Sequence, residues 1–312
     1  MILSIILLVV GFVCLIKGAD FFVDGASRLA LKFKVPSLII GMTIVAMGTS
    51  APECAVSISA SVAGNNGMAI SNVIGSNMFN LLVVCGICAV LAPLAVNKST
   101  IKKDFPFAII VGLILLGLGS WGMGVNRIEG IIMLVIFAIF IWNMISTAKK
   151  NKEETDMTDD VPVAFSWVKV LLSIGGGLVA IVLGGQLVVN SAEVIAAGFG
   201  LSENLIGLTV CAIGTSLPEL VTSIVAARKG EVDMAIGNVI GSNIFNILLV
   251  LALASAISPV AMTMENVIDL IILTAISVMM LVMIIPKKQL NRICGGVCVA
   301  VYVIYMVYIC MR

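Results

Sequence analysis

The hexapeptide GTSAPE at Gly48–Glu53 returns 166 residues later as GTSLPE at Gly214–Glu219. The nonapeptide NVIGSNMFN at Asn72–Asn80 returns at the same offset as NVIGSNIFN at Asn238–Asn246. Both pairs lie in one gap-free alignment of 56 residues, of which 27 are identical. The polar residues match best, so the chain contains an internal repeat that is centred on polar positions.

The composition of the chain places it in lipid. Of its 312 residues, 61% are hydrophobic and only 11% are charged, and the mean hydropathy is +1.20. Such a chain is too apolar to cover a water-facing surface, and its charges collect between long apolar runs. The net charge of +1 provides no basic field for nucleic acid, and no feature indicates an obligate protein partner.

Apolar runs of roughly 20 residues predict an all-α polytopic membrane protein with ten transmembrane helices, five on each side of the polar segment Lys149–Asp160. The predicted spans are 2–24, 36–62, 68–91, 105–123, 128–147, 166–190, 203–227, 233–257, 264–285 and 293–311. The predicted units are a first five-helix repeat at 1–148, a linker at 149–163 and a second five-helix repeat at 164–312.

An odd number of spans in each half makes the second copy cross the membrane in the opposite direction to the first. Inverted repeats of this kind place a substrate site at the bilayer midplane, where the copies meet, and give alternating access by rocking around it. The repeat therefore predicts a transporter.

The distribution of basic residues predicts the orientation. Fifteen of the eighteen Lys and Arg residues fall in loops on one side, against Arg127 and Arg312 on the other. The positive-inside rule then puts the linker in the cytoplasm and both termini outside a cell membrane. The remaining residue, Lys17, lies within the first span, where it can snorkel or pair with Asp20 or Asp24.

Each copy carries a predicted helix break directly before a glutamate. Pro52 has no N–H to donate to the carbonyl of Gly48, so the helix should break within residues 48–52, and Pro218 does the same after Gly214. A broken helix is tolerated in a membrane only where protein or a polar cavity satisfies its backbone. Glu53 and its equivalent therefore follow breaks that indicate a polar centre.

Oxygen-bearing side chains surround both glutamates on a helical register. Glu53 shares a face with Thr49 and Ser50, and the next span carries a stripe of polar residues at intervals of four. The equivalent residues of the two copies are Thr49 and Thr215, Ser50 and Ser216, Glu53 and Glu219, Asn72 and Asn238, Ser76 and Ser242, and Asn80 and Asn246. Carboxylate, hydroxyl and amide oxygens without thiolate or imidazole favour a hard cation such as Ca²⁺.

The cost of burying charge argues that the glutamates are functional. A carboxylate at mid-bilayer costs about 2.5 kcal/mol or more, so two of them in matched positions imply a bound cation or a shared proton. One Ca²⁺ or two Na⁺ neutralise a charge of −2, and a third Na⁺ makes exchange electrogenic. For Asn72 and Asn238, a role in holding helices together is an equal alternative.

The motifs GTSAPE with GSNMFN, and GTSLPE with GSNIFN, resemble the two alpha repeats of the calcium/cation antiporter superfamily, in its sodium/calcium exchanger branch. The resemblance covers both motifs and the five-plus-five layout. It implies Na⁺/Ca²⁺ exchange by a secondary active transporter, with the ions as substrates, no cofactor and no enzymatic reaction. The implied calcium ligands are Glu53, Glu219, Thr49, Thr215 and the carbonyls of Ala46 and Ala212, with Ser50, Ser76, Ser216 and Ser242 at sodium sites and Asn80 and Asn246 at the centre.

Three alternatives to sodium/calcium exchange are weighed against the same residues. Potassium-dependent relatives carry Asp where Asn246 stands, which disfavours potassium coupling here. Proton-coupled relatives typically read GN before the glutamate where this chain reads GTS, which favours sodium but leaves an H⁺/Ca²⁺ antiporter as the alternative. A cation channel is disfavoured, because a channel has no need of two inverted copies.

Overall fold

The computed structural model describes residues 2–64, 66–155, 166–199 and 212–311, and these are almost entirely helical. In the first half the helices are α1 (Ile2–Phe33), α2 (Ser37–Ile40), α3 (Ala46–Thr49), α4 (Ala51–Val62), α5 (Asn66–Phe79), α6 (Cys85–Leu91), α7 (Phe105–Gly122) and α8 (Arg127–Thr155). In the second half they are α9 (Trp167–Gly198), α10 (Ala212–Thr215), α11 (Leu217–Arg228), α12 (Val232–Phe245), α13 (Ala252–Ile257), α14 (Met264–Ile284) and α15 (Arg292–Met311). The π-helical turns are Gly41–Val45, Asn80–Val84, Thr100–Asp104 and Asn246–Leu251, and the strands are β1 (Leu94–Ala95), β2 (Gly124–Val125), β3 (Val260–Ala261) and β4 (Gln289–Leu290).

The described helices agree with the predicted membrane spans. Eight are long and apolar enough to cross a membrane, and the bent pair Ser37–Thr49 and Ala51–Val62 adds a ninth. The remaining predicted span, 203–227, begins outside the described residues, and α10 and α11 form its described part. The prediction of an all-helical membrane protein is confirmed.

Burial separates a central layer of helices from a lipid-facing one. The spans Gly67–Leu91 and Val232–Ile257 are 83% and 78% buried within the protein, whereas Arg127–Lys149 and Arg292–Met311 are each 17% buried. An apolar exterior is compatible with the hydrocarbon core of a bilayer, where lipid offers no hydrogen-bond partners to the helix backbone. The two repeated NVIGSN segments therefore lie at the protein centre.

Helices α1 and α9 pack against each other in antiparallel fashion through glycines. A Cβ added at Gly18 would lie 2.9 Å from the Gly177 carbonyl, and one at Gly11 would lie 2.9 Å from the Gly184 carbonyl. Only glycine permits such close approach of two helix backbones. Residue 177 lies 166 positions after residue 11, and 184 lies 166 after 18. The symmetry of the repeat therefore converts one of these glycine contacts into the other.

Each short strand pairs with a strand of the other half. Strand β1 pairs antiparallel with β4 through Leu94 and Leu290, and β2 pairs with β3 through Val125 and Val260. Leu94 and Val260 are equivalent positions at the repeat offset. The two strand pairs are therefore related to each other by the same repeat symmetry.

Three helices continue beyond their predicted spans, among them α9, which runs to Gly198 rather than ending near residue 190. Helix α1 runs to Phe33 rather than ending near residue 24, because the charged residues at its end do not interrupt helical hydrogen bonding. Helix α8 continues to Thr155, into the predicted linker at 149–163, and residues 156–165 lie outside the described part of the chain. Lys17 is exposed.

The aspartates considered as partners of Lys17 bind another lysine. The Lys229 ammonium lies 2.9 Å from Asp20 Oδ1 and 2.7 Å from Asp24 Oδ1. This ion pair joins α1 to the end of α11. Of the two alternatives for Lys17, pairing with Asp20 or Asp24 is therefore not the one that the structure adopts.

Candidate functional site

The predicted helix break is present in both copies. Ser50 separates α3 from α4 with φ −82° and ψ 11°, and the two halves of this helix meet at 48°. Ser216 separates α10 from α11 with φ −93° and ψ 5°. Pro52 and Pro218 lie in the first turns of α4 and α11, where their missing N–H groups need no helical partner. The break therefore falls within residues 48–52, as predicted.

The breaks place each glutamate in the first turn of a new helix, at the centre of the protein. Glu53 and Glu219 are both fully buried. A helix N-terminus has unpaired N–H groups and a partial positive charge, which stabilise a carboxylate there. The same local geometry is built twice, on α4 and on α11.

Each carboxylate is bound by the serine of the opposite half. Ser50 Oγ donates to Glu219 Oε1 at 2.7 Å, and Ser216 Oγ lies 3.0 Å from Glu53 Oε1. Ser76 Oγ adds a 3.5 Å contact to Glu53 Oε1 and lies 3.1 Å from Ser216 Oγ. The structure thus brings five of the predicted residues into two hydrogen-bonded groups, Ser50 with Glu219 and Ser216 with Glu53 and Ser76.

Several buried oxygens at this centre have no hydrogen-bond donor among the described residues. They include the second oxygen, Oε2, of both glutamates. Others are Thr215 Oγ1, Ser242 Oγ, Asn80 Oδ1, Asn243 Oδ1 and Asn246 Oδ1. Buried acceptors without partners are costly, and a set of them is what a hard cation with six to eight oxygen ligands requires.

Ten of the twelve predicted site residues are buried. Thr215 is partly exposed, although its hydroxyl oxygen is buried, and Ala212 is the first residue of α10, its side chain outside the described atoms. The buried residues are Ala46, Thr49, Ser50, Glu53, Ser76, Asn80, Ser216, Glu219, Ser242 and Asn246.

The carbonyl of Ala46 takes part in helix bonding. It accepts the Ser50 N–H at 3.0 Å, and Thr49 Oγ1 lies 3.4 Å from it. The break thus lies beyond this carbonyl. A carbonyl oxygen has two lone pairs, so a cation that binds the Ala46 oxygen must share this oxygen with these two contacts or replace one of them.

Asn72 and Asn238 hold the broken helices in place. Asn72 Nδ2 donates to Ser57 Oγ at 3.0 Å and lies 3.4 Å from the Glu53 carbonyl. Asn238 Nδ2 makes the equivalent contacts, 2.9 Å to Ser223 Oγ and 3.5 Å to the carbonyl of the second glutamate. Of the two alternatives for these asparagines, the structure supports the role of holding helices together.

Sequence reasoning missed two residues of this centre. Asn77 and Asn243 were not assigned a role, yet both are buried and their amides cross between the halves. Their identity at equivalent positions of the nonapeptide was the available signal. It was insufficient because a buried asparagine does not reveal its partner in the sequence.

Three comparisons with known proteins agree with one another. The sodium/calcium exchanger protein family matches residues 3–146 and 169–311. CaxA of Alkalimonas amylolytica, named as a candidate antiporter, is 42% identical over 264 residues that cover 83% of this chain and 82% of that protein. The sodium/calcium exchanger MaX1 of Methanosarcina acetivorans is 29% identical over 342 residues, with 97% of each chain covered.

A solved structure of the sodium-calcium exchanger NCX_Mj, soaked with Na⁺ and Ca²⁺, superposes with a TM-score of 0.85 at 31% identity and covers 98% of each chain. The family match spans nearly all of both halves, including both broken helices and both buried glutamates. This chain therefore belongs to the sodium/calcium exchanger protein family and is a multi-pass membrane protein.

Proposed function

We propose that this chain is a secondary active transporter that exchanges Na⁺ for Ca²⁺ across a cell membrane by alternating access. The observation that carries the proposal is the pair of buried glutamates, each bound through one oxygen by a serine of the other half and left with a second oxygen free. Two carboxylates with surrounding hydroxyl and amide oxygens match the ligand preference of Ca²⁺.

The proposed architecture is ten transmembrane helices in two inverted five-helix repeats, 1–148 and 164–312, joined by a linker at 149–163. The reciprocal contacts of α1 with α9 and of the strand pairs support this arrangement. The proposed orientation has the linker in the cytoplasm and both termini outside, as the distribution of Lys and Arg predicts.

Ion binding follows from the charge of the site. Glu53 and Glu219 together carry a charge of −2 when ionised, so one Ca²⁺ or two Na⁺ neutralise it. A third Na⁺ adds one positive charge to the sodium-loaded state and makes exchange electrogenic. The proposed ligands are Glu53, Glu219, Thr49, Thr215 and the carbonyls of Ala46 and Ala212 for Ca²⁺, with Ser50, Ser76, Ser216 and Ser242 for Na⁺ and Asn80 and Asn246 at the centre.

The position of the site between the halves provides the transport step. Because each glutamate contacts the opposite half, a rigid movement of one half against the other changes the ligands of both carboxylates together. Inverted repeats allow such a movement to open the site to each side in turn. An ion held between the halves is thereby exposed to one face at a time.

Calcium uptake into proteoliposomes tests the coupling ion. Vesicles with purified protein are loaded with Na⁺ and diluted, at fixed pH, into Ca²⁺ buffer with or without external Na⁺. We expect uptake only with an outward Na⁺ gradient, and faster uptake at an inside-positive potential if three Na⁺ leave per Ca²⁺. Glu53→Gln should abolish uptake, whereas Glu129→Gln replaces a partly exposed carboxylate that accepts the Asn126 N–H, and this variant should not.

The alternative function gives a different result in the same vesicles. Ca²⁺ uptake that is indifferent to Na⁺ but follows an imposed pH gradient would refute sodium coupling and assign an H⁺/Ca²⁺ antiporter. Uptake that persists in Glu53→Gln would refute the proposed site itself.

A further inference from the structure

Two asparagines next to the glutamate site join the two halves through reciprocal hydrogen bonds. Asn77 Nδ2 donates to the Asn243 carbonyl at 3.3 Å, and Asn243 Nδ2 donates to the Asn77 carbonyl at 3.4 Å. The two residues are 1% and 6% exposed, so water does not compete for these bonds. We call Asn77 and Asn243 the asparagine clamp.

The clamp lies where two helices change their hydrogen-bonding pattern. Helix α5 passes into a π-helical turn at Asn80, and α12 does so at Asn246, three residues after the respective clamp residue. A π turn inserts a residue into the helix and redirects the side chains beyond it. The clamp therefore fixes the backbone directly before the two asparagines proposed for the centre of the site.

The side-chain oxygens of the clamp are used unequally. Asn246 Nδ2 donates to Asn77 Oδ1 at 3.1 Å. At the equivalent positions of the repeat, the corresponding bond would run from Asn80 Nδ2 to Asn243 Oδ1. Both atoms of that second bond are buried, and neither has a partner among the described residues. The structure thus contains one bond and, at the equivalent position, an unused donor and an unused acceptor.

We propose that Asn77 and Asn243 are positioning residues whose side-chain oxygens hold Asn246 and Asn80 in turn, one in each access state. The proposal rests on the proposed function, because it needs two access states related by exchange of the inverted halves. In the state described here Asn77 holds Asn246. In the opposite state Asn243 holds Asn80, and Asn246 is released.

The alternation predicts opposite effects for equivalent substitutions. Asn77→Leu and Asn243→Leu each remove one amide-to-carbonyl bond across the halves, so their general cost is the same. Only Asn77→Leu also removes the acceptor of Asn246, and only Asn243→Leu removes the acceptor of Asn80. Loss of one neutral hydrogen bond should shift the ratio of the two states by about threefold to tenfold, in opposite directions.

Hydrogen exchange read by mass spectrometry on the full chain in lipid nanodiscs, without Ca²⁺, measures this ratio. In the proposed inverted arrangement, helices α4 and α11 lead from the two breaks to opposite membrane faces, so faster hydrogen exchange in one relative to the other reports which face is open. The double variant Asn77→Leu/Asn243→Leu should return this ratio to the wild-type value, because both states then lose the same bonds. Ser277→Ala is the control: Ser277 lines the same cavity of about 20 Å³ as the clamp, but bonds Leu273 in its own helix.

Shifts of opposite sign with restoration in the double variant would support the alternation. Shifts of the same sign, no shift, or a double variant whose ratio stays displaced from the wild-type value would overturn it. If a leucine variant is not monodisperse, Asn77→Ser and Asn243→Ser are compared in the same way. The measurement needs no transport, so loss of sodium coupling in the vesicle assay would refute the proposed function without deciding the clamp.

Discussion

Ser50 donates a 2.7 Å hydrogen bond to Glu219, a residue 169 positions away in the other half of the chain. Ser216 makes the reciprocal contact to Glu53 at 3.0 Å. Each buried carboxylate therefore takes a hydrogen-bond donor from the opposite half, so its contacts depend on how the two halves are placed.

Substitution of the cross-half serines should destabilise the ion-free protein. Ser50→Ala or Ser216→Ala removes a donor from a buried carboxylate, which costs about 1.5–3 kcal/mol. Thermal unfolding in Na⁺-free, Ca²⁺-free buffer measures the loss, and added Ca²⁺ should recover part of it by replacing the hydroxyl as partner. Ser277→Ala, whose hydroxyl bonds within its own helix, should lose clearly less, and an equal loss would contradict the prediction.

Neutralising one glutamate should stabilise the ion-free protein while abolishing its response to calcium. Glu53→Gln or Glu219→Gln removes one of two buried like charges, so we expect a gain of about 2 kcal/mol without ions. The stabilisation that Ca²⁺ gives the wild type should disappear, because stabilisation by a ligand depends on its affinity for the folded state. A Ca²⁺-dependent rise in Tm in either variant would argue against the site.

The contact between α1 and α9 should be intolerant of a single methyl group at Gly177. A Cβ there would lie 2.7 Å from the Gly18 carbonyl and 2.7 Å from the Phe22 nitrogen, both backbone atoms. Overpacking of this kind lowers the free energy of unfolding by about 1–3 kcal/mol. Gly177→Ala should therefore lower Tm and slow Ca²⁺ uptake in the vesicle assay.

Gly175 supplies a control for this substitution on the same helix. A Cβ at Gly175 meets no described atom within 4 Å, so Gly175→Ala should be neutral or stabilising by up to about 1 kcal/mol through helix propensity. Equal effects at the two glycines would show that close packing of α1 and α9 is not what matters.

The ion pair of Lys229 should give a stability contribution that is lost only at alkaline pH. Partial burial lowers the pKa of Lys229, but its hydrogen bonds to Asp24 and Asp20 outweigh burial and raise the pKa above the ordinary lysine value. A raised folded-state pKa means that the contribution is complete below the unfolded pKa and disappears as pH rises through the folded one.

Lys229→Gln tests this contribution. Because both carboxylates are substantially exposed, we expect a loss of at most about 1 kcal/mol near neutral pH. Chemical unfolding at several pH values should show the difference from wild type shrinking above pH 10 or so. Lys287→Gln removes an exposed charge as a control, and a difference that grows with pH would refute the assignment.

The Lys229 ion pair also distinguishes the two halves. The residue equivalent to Lys229 in the first half is Ala63, and those equivalent to Asp20 and Asp24 are Gln186 and Asn190. An ion pair of this kind therefore exists at the end of α11 and has no charged counterpart at the end of α4. The sequence contains this difference, but only the folded α1–α11 contact turns it into an interaction.

The sequence by itself determined the internal repeat, the described membrane spans, and a helix break within residues 48–52 with its equivalent between Gly214 and Pro218. These features are local: apolar length sets a span, and a proline without an N–H interrupts a helix wherever it lies. The identity of the two glutamates as buried residues also followed, because the spans that contain them are otherwise apolar.

Only the tertiary structure decided which groups meet at the centre. The bonds of Ser50 to Glu219, of Ser216 to Glu53, and between Asn77 and Asn243 join residues 163 to 169 positions apart. No local pattern encodes such pairs, because they arise only when the two copies of the repeat pack against each other. The physical reason is that buried donors and acceptors must find partners across whichever surfaces the folded halves bring together.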